Sequence, residues 1–118
     1  MIRKVLIVDD TQSDRNNLER IVSEAGLQAV LAESGAKAIE CAKRDKPDLI
    51  LMDVNMPEID GFAATRMLKA DDATKHIPIV FVSGKNQKAD VAWGQMLGAR
   101  GYVTKPYSRE QILAQFQI

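Results

Sequence analysis

The chain has 118 residues, of which 46% are hydrophobic and 27% charged. That balance suits a globular fold able to bury a core without metals or disulfides. With 16 basic and 16 acidic side chains the formal net charge is zero, so nothing draws the chain generally to nucleic acid or to an anionic membrane. The lone Cys41 cannot form an internal disulfide, which fits a reducing compartment. The opening run MIRKVLIVDD is too short and too soon cut by aspartates for a signal peptide or a membrane span. A soluble cytoplasmic protein is expected.

In chain order, residues 5–8 (VLIV) form a short apolar run, mostly β-branched, that reads as a strand running into Asp9 and Asp10. Leu18, Ile21, Val22 and Ala25 then recur at helical spacing on one face, with Gly26 placed to end the helix. Residues 28–32 (QAVLA) read as a second strand. Ser34 can cap a second helix that buries Ala38, Ile39 and Ala42, with Cys41 beside them as a small packed residue. Residues 49–52 (LILM) form a third strand, which ends in Asp53 with Asn55 and Pro57 close behind. Phe62, Ala63 and Met67 indicate a third helix. His76, the only histidine, falls in the polar loop TKHIP and reads as solvated. Residues 79–82 (IVFV) make a fourth strand, followed by Ser83 and Gly84. Ala89, Ala92, Trp93, Met96 and Leu97 mark a fourth helix stopped by Gly98. Residues 102–104 (YVT) lead into Lys105 and Pro106, and Ile112, Leu113 and Phe116 mark a fifth helix.

Strands alternating with helices imply an α/β fold, a parallel sheet covered on both faces. In such sheets ligands gather beyond the carboxyl ends of the strands. Asp9, Asp10, Asp53, Ser83 and Lys105 all fall at such ends. Singly each has a plain explanation: acidic groups suit a helix start, a Ser-Gly pair suits a turn, an aspartate can cap a loop, and most lysines are solvated. Together they form one constellation. Three neighbouring carboxylates repel one another and invite a cation. An all-oxygen set favours Mg²⁺ over zinc. Lys105 as a point charge and Ser83 as a donor could address phosphoryl oxygens, which leaves Asp53 as the nucleophile that forms an aspartyl phosphate.

The segments VLIVDD, LILMDVNMPEIDG, IPIVFVSG and GARGYVTKP, in that order, resemble the receiver domains of two-component response regulators. The resemblance spans essentially the whole chain, residues 1–118, as one receiver domain. It implies a flavodoxin-like fold with strand order 2-1-3-4-5. It implies Asp53 as phosphoacceptor, Asp10 and Asp53 as Mg²⁺ ligands, Asp9 assisting through water, and the main-chain carbonyl of Asn55 as a further ligand. Ser83 takes the place of the family's switch hydroxyl, Lys105 that of its phosphate-binding lysine and Tyr102 that of its aromatic switch. The Lys105–Pro106 bond is typically cis in the family. The phosphodonor would be a partner sensor histidine kinase, of the chemosensory type. With no output domain after the fifth helix, a monomeric chain would signal to a protein target through a changed surface of the fourth helix, fifth strand and fifth helix.

One departure is Gly84, where the family usually has alanine; glycine loosens the loop between Ser83 and Tyr102. Lys85 and Asn55 sit where the family tunes access of hydrolytic water. A narrower resemblance lies in VAWGQMLGARGYVTKPYS, whose W-G-x-x-x-G-A passage is similar to stand-alone receivers of the chemosensory system for type IV pili and twitching motility. Helical spacing favours core packing of Trp93 over a partner contact. A signal carrier, a phosphate sink and a relay intermediate would share the same site. A haloacid-dehalogenase-like phosphatase also uses a strand-end aspartate, but needs a second aspartate two residues on, where this chain has Asn55. A flavin or nucleotide binder would want a glycine-rich loop after the first strand, where DDTQSDRN offers carboxylates. A receiver-like scaffold that is never phosphorylated has no need of the complete acidic set.

Overall fold

A computed structural model describes residues 1–117. Five strands and five helices alternate along the chain. They are β1 (Lys4–Val8), α1 (Gln12–Glu24), β2 (Gln28–Ala32), α2 (Gly35–Asp45), β3 (Leu49–Met52), α3 (Gly61–Ala70), β4 (Ile79–Ser83), α4 (Lys88–Met96), β5 (Gly101–Thr104) and α5 (Arg109–Ala114). All strand pairs are parallel, in the order β2-β1-β3-β4-β5. This is the flavodoxin-like arrangement, with its reversal of strand order beside β1.

The three central strands are apolar at consecutive positions because both their faces are covered. Every residue of β3 and β4 is buried, as is every residue of β1 but Lys4. Successive side chains point to opposite faces. On one face Leu6, Val8, Ile50, Met52, Ile79 and Phe81 meet Ala38, Cys41 and Ala42 of α2 and Ala64 and Leu68 of α3. On the other face Val5, Ile7, Leu51 and Val80 meet Leu18, Ile21 and Val22 of α1 and Ile112 of α5. Helix starts are fixed locally. Ser34 accepts the Lys37 N–H at 3.1 Å, Asp60 accepts the Ala63 N–H at 2.8 Å, and Ser108 and Gln111 cap each other reciprocally. Each such cap stabilises its helix by about 1 kcal/mol.

Two helices present faces other than the expected ones. Trp93 of α4 is 39% exposed and Met96 77% exposed, and Ala89 and Ala92 are exposed as well. Only Gly94 of α4 is buried. The apolar stripe read as a core face therefore looks outward, and the helix packs by the opposite side, where a glycine permits close approach to Phe81 and Tyr102. Trp93 is covered in part by the Arg66 guanidinium, 5.7 Å from its ring centroid, a cation–π contact. Met67 of α3 is likewise exposed, the buried face being Ala64, Thr65 and Leu68. Helix α5 ends at Ala114, leaving Phe116 beyond it but packed against the core. His76 is exposed and Cys41 buried. Among the described residues no helix is long and apolar enough to cross a membrane.

Candidate functional site

Backbone pairing carries the strand ends into register one residue past the strands themselves. The Asp53 N–H donates to the Val8 carbonyl at 2.9 Å, the Asp9 N–H to the Ala32 carbonyl at 3.2 Å, and the Lys105 N–H to the Ser83 carbonyl at 2.9 Å. The side chains of Asp9, Asp53 and Lys105 are thus brought to one edge by the sheet, not by loop conformation. Asp10 joins them, and oxygens of Asp9, Asp10 and Asp53 lie within 4.8 Å of one another. Asp9 and Asp53 are buried and Asp10 is exposed.

Each buried carboxylate is divided between backbone and lysine. Asp9 Oδ1 accepts the Thr11 N–H at 2.9 Å, and Asp53 Oδ1 accepts the Val54 N–H at 2.7 Å. Their Oδ2 atoms face Lys105 Nζ, at 2.8 Å from Asp9 and 3.3 Å from Asp53. The ammonium has a third carboxylate partner, Asp14 of α1, at 2.9 Å. Arg15 donates to the Asp9 carbonyl at 2.8 Å. Burial raises the Asp9 carboxyl above its ordinary value, with the Asp53 charge adding to the effect, and hydrogen bonds from Lys105 and Thr11 oppose it. Burial acts against the Lys105 charge too, but the bonds to Asp9 and Asp14 and the charges of Asp53 and Asp9 outweigh it. The lysine is held protonated well above its usual range.

The remaining residues flank this group. Ser83 is fully buried, and its Oγ accepts the Lys85 N–H at 3.2 Å. The Tyr102 hydroxyl donates to the Lys85 carbonyl, so one peptide residue is tied to both side chains. Burial lifts the Tyr102 phenol above its ordinary value, helped by the charges of Asp90 and Asp53. Its ring lies 5.6 Å from that of Phe81, which lies 5.2 Å from Phe62. Gly84 has open space where a side chain would go; packing does not demand a glycine there. Asn55 is exposed in the loop after β3, and the Lys105–Pro106 bond is cis. Gly61 closes the other side. A Cβ there would lie 2.1 Å from the Asp53 carbonyl oxygen, so only glycine lets α3 start directly behind Asp53.

Sequence reasoning brought together Asp9, Asp10, Asp53 and Lys105, with Ser83 at the neighbouring strand end. It missed Asp14. The available signal was its place in the first turn after the paired aspartates, four residues beyond Asp10 and at the same edge of the sheet.

The donor set suits a small hard cation. Three carboxylates converge, no histidine or cysteine joins them among the described residues, and one ammonium cannot balance their charge. Oxygen ligands of this kind fit Mg²⁺, which keeps several waters and asks for few protein ligands.

Comparison with known proteins agrees with this geometry. A family model described as the response regulator receiver domain matches residues 5–117. Protein PilH of Pseudomonas aeruginosa is 41% identical over 110 residues, spanning 93% of this chain and 91% of its own length. The chemotaxis protein CheY4 of Vibrio cholerae superposes with a TM-score of 0.91 at 30% identity, covering 99% of this chain and 98% of the other. The receiver domain of a sensor histidine kinase from P. aeruginosa PAO1, with a magnesium ion in its active site cleft, superposes at 0.88 with 26% identity, covering 98% and 94%.

Proposed function

The chain belongs to the response regulator receiver domains, and from that membership we propose that residues 1–118 form one receiver that takes a phosphoryl group onto Asp53 from the phosphohistidine of a sensor kinase. The observation that carries this reading is the setting of Asp53. It is a buried carboxylate at the end of the central strand, with one oxygen tied to Val54 and the other facing Lys105. A carboxylate oxygen attacks phosphorus, the P–N bond breaks, and the leaving imidazole keeps the bonding pair. Asp10, Asp53 and the main-chain carbonyl of Asn55, with Asp9 assisting through water, would hold Mg²⁺, which would supply charge neutralisation and polarise the phosphoryl oxygens. Lys105 adds a positive charge to those oxygens, and the Ser83 hydroxyl donates to one of them.

Response regulator receivers are signalling proteins, and here the only chemistry is on the chain's own carboxylate. When Ser83 turns to the phosphoryl group it gives up the Lys85 N–H. Tyr102 holds the same residue by its carbonyl, so the two side chains respond together. Phosphorylation then biases an equilibrium between two arrangements of α4, β5 and α5, the face read by a protein target. Similarity to PilH and the W-G-x-x-x-G-A passage favour a role in a chemosensory pathway for type IV pili and twitching motility, and within that reading the receiver is cytoplasmic and acts as a monomer.

With Mg²⁺ and a small phosphodonor, the intact mass is expected to rise by one phosphoryl group. Asp53→Asn abolishes the gain, and chelation of Mg²⁺ blocks it. Undiminished labelling of the variant would sink the assignment of Asp53, and labelling without metal would sink the role given to the acidic cluster.

A further inference from the structure

We propose that Asp14 is a positioning residue for Lys105, holding the ammonium on the α1 side of the site and weakening its hold on a phosphoryl group at Asp53. The inference rests on Asp53 being the acceptor. Three carboxylates share the one ammonium, and Asp14, at 2.9 Å, is closer to it than Asp53, at 3.3 Å. Asp14 also differs from the other two in its setting. Its side chain is 43% exposed, against 1% for Asp9 and 7% for Asp53, and it stands outside the three whose oxygens converge.

That difference decides what happens as the site fills. A cation among Asp9, Asp10 and Asp53 neutralises those carboxylates and weakens two of the three partners of Lys105. Asp14 keeps its full charge and becomes the strongest remaining anchor. An incoming phosphoryl dianion must then compete with it for an ammonium that has only three N–H donors. Since Asp14 acts through Lys105 and not on the phosphoryl group, its effect depends on its charge.

Asp14→Asn therefore has two consequences of opposite sign. In the metal-free site the released ammonium turns more fully to Asp9 and Asp53, and an acidic charge is lost, so Mg²⁺ binds more weakly. Once Mg²⁺ is bound, Lys105 is free to grip the phosphoryl position, so beryllofluoride, a phosphoryl analogue, binds more tightly. A merely structural defect would weaken both. Amide chemical-shift titrations of the full chain give both dissociation constants. The expected changes are roughly two- to fivefold each, the range of a partly exposed ion pair, and Asp14→Glu returns both toward wild type. Beryllofluoride binding that is unchanged or weaker in Asp14→Asn would overturn the proposal. Failure of wild type to bind beryllofluoride in saturating Mg²⁺ would instead strike the reading of Asp53 on which it rests.

Discussion

The carboxylates around Lys105 hold more negative charge than one ammonium offsets, and Asp9 is the most deeply buried of them. Its carboxyl is raised by burial and by the Asp53 charge. A raised acid binds its proton more readily in the folded protein than in the unfolded chain, so metal-free stability falls as pH rises through the folded value. Asp9→Asn removes that burden and leaves Lys105 two carboxylate partners. The metal-free variant is expected to be more stable at neutral pH by roughly 1 kcal/mol, a shift of a few degrees in Tm, with a flatter pH profile. Mg²⁺ should raise the Tm of wild type more than that of the variant. A lower metal-free Tm for Asp9→Asn in thermal melts would refute the account. The sequence makes Asp9 legible because a charged residue directly after a buried strand has one place to go. Asp14 is not legible in the same way. Its partner lies 91 residues away, and only the direction of α1 across the sheet edge brings the two together.

Strands and helices differ in how plainly the sequence marks them. Strands β1, β3 and β4 declare themselves through unbroken apolar runs, since both faces are covered. Helix α4 has apolar residues at helical spacing too, but spacing does not say which face meets the sheet. Gly94 decides it. A Cβ there would stand 3.1 Å from both the Phe81 and Tyr102 rings, so the helix sits as close as a hydrogen atom allows, and Trp93 is turned outward. Two substitutions separate these arrangements. Trp93→Ala should cost under about 1 kcal/mol, well short of the 3–5 kcal/mol lost when a core tryptophan is truncated. Gly94→Val should cost about 1–3 kcal/mol by overpacking, and should displace the Tyr102 ring, which would show in its aromatic resonances. Chemical denaturation checks both. A Trp93→Ala loss in the core range, or a Gly94→Val protein as stable as wild type, would reverse the assignment of faces.

For the whole molecule, strand order sets a gradient of protection that chain order alone would not suggest. The chain builds β2 second, yet the sheet places it at an edge, and two of its five residues are exposed. The third strand built, β3, lies at the centre with all four residues buried. Helix α5 has six residues and one buried side chain, Ile112. Local opening therefore costs little at α5 and along β2. It costs nearly the full unfolding free energy at β3, because its amides cannot reach water without separating β1 from β4 and lifting helices off both faces. Native-state hydrogen exchange should find amides of Leu49–Met52 among the slowest, exchanging only by global unfolding and sensitive to denaturant accordingly. Amides of β2 and α5 should exchange through smaller openings. Asp53 follows the slowest strand directly, whereas Lys105 continues the edge strand β5 and lies within a few residues of α5, so the carboxylate sits on the most rigid part of the molecule and the ammonium nearer its pliant end. Exchange at α5 as slow as at β3 would remove that contrast between the two sides of the site.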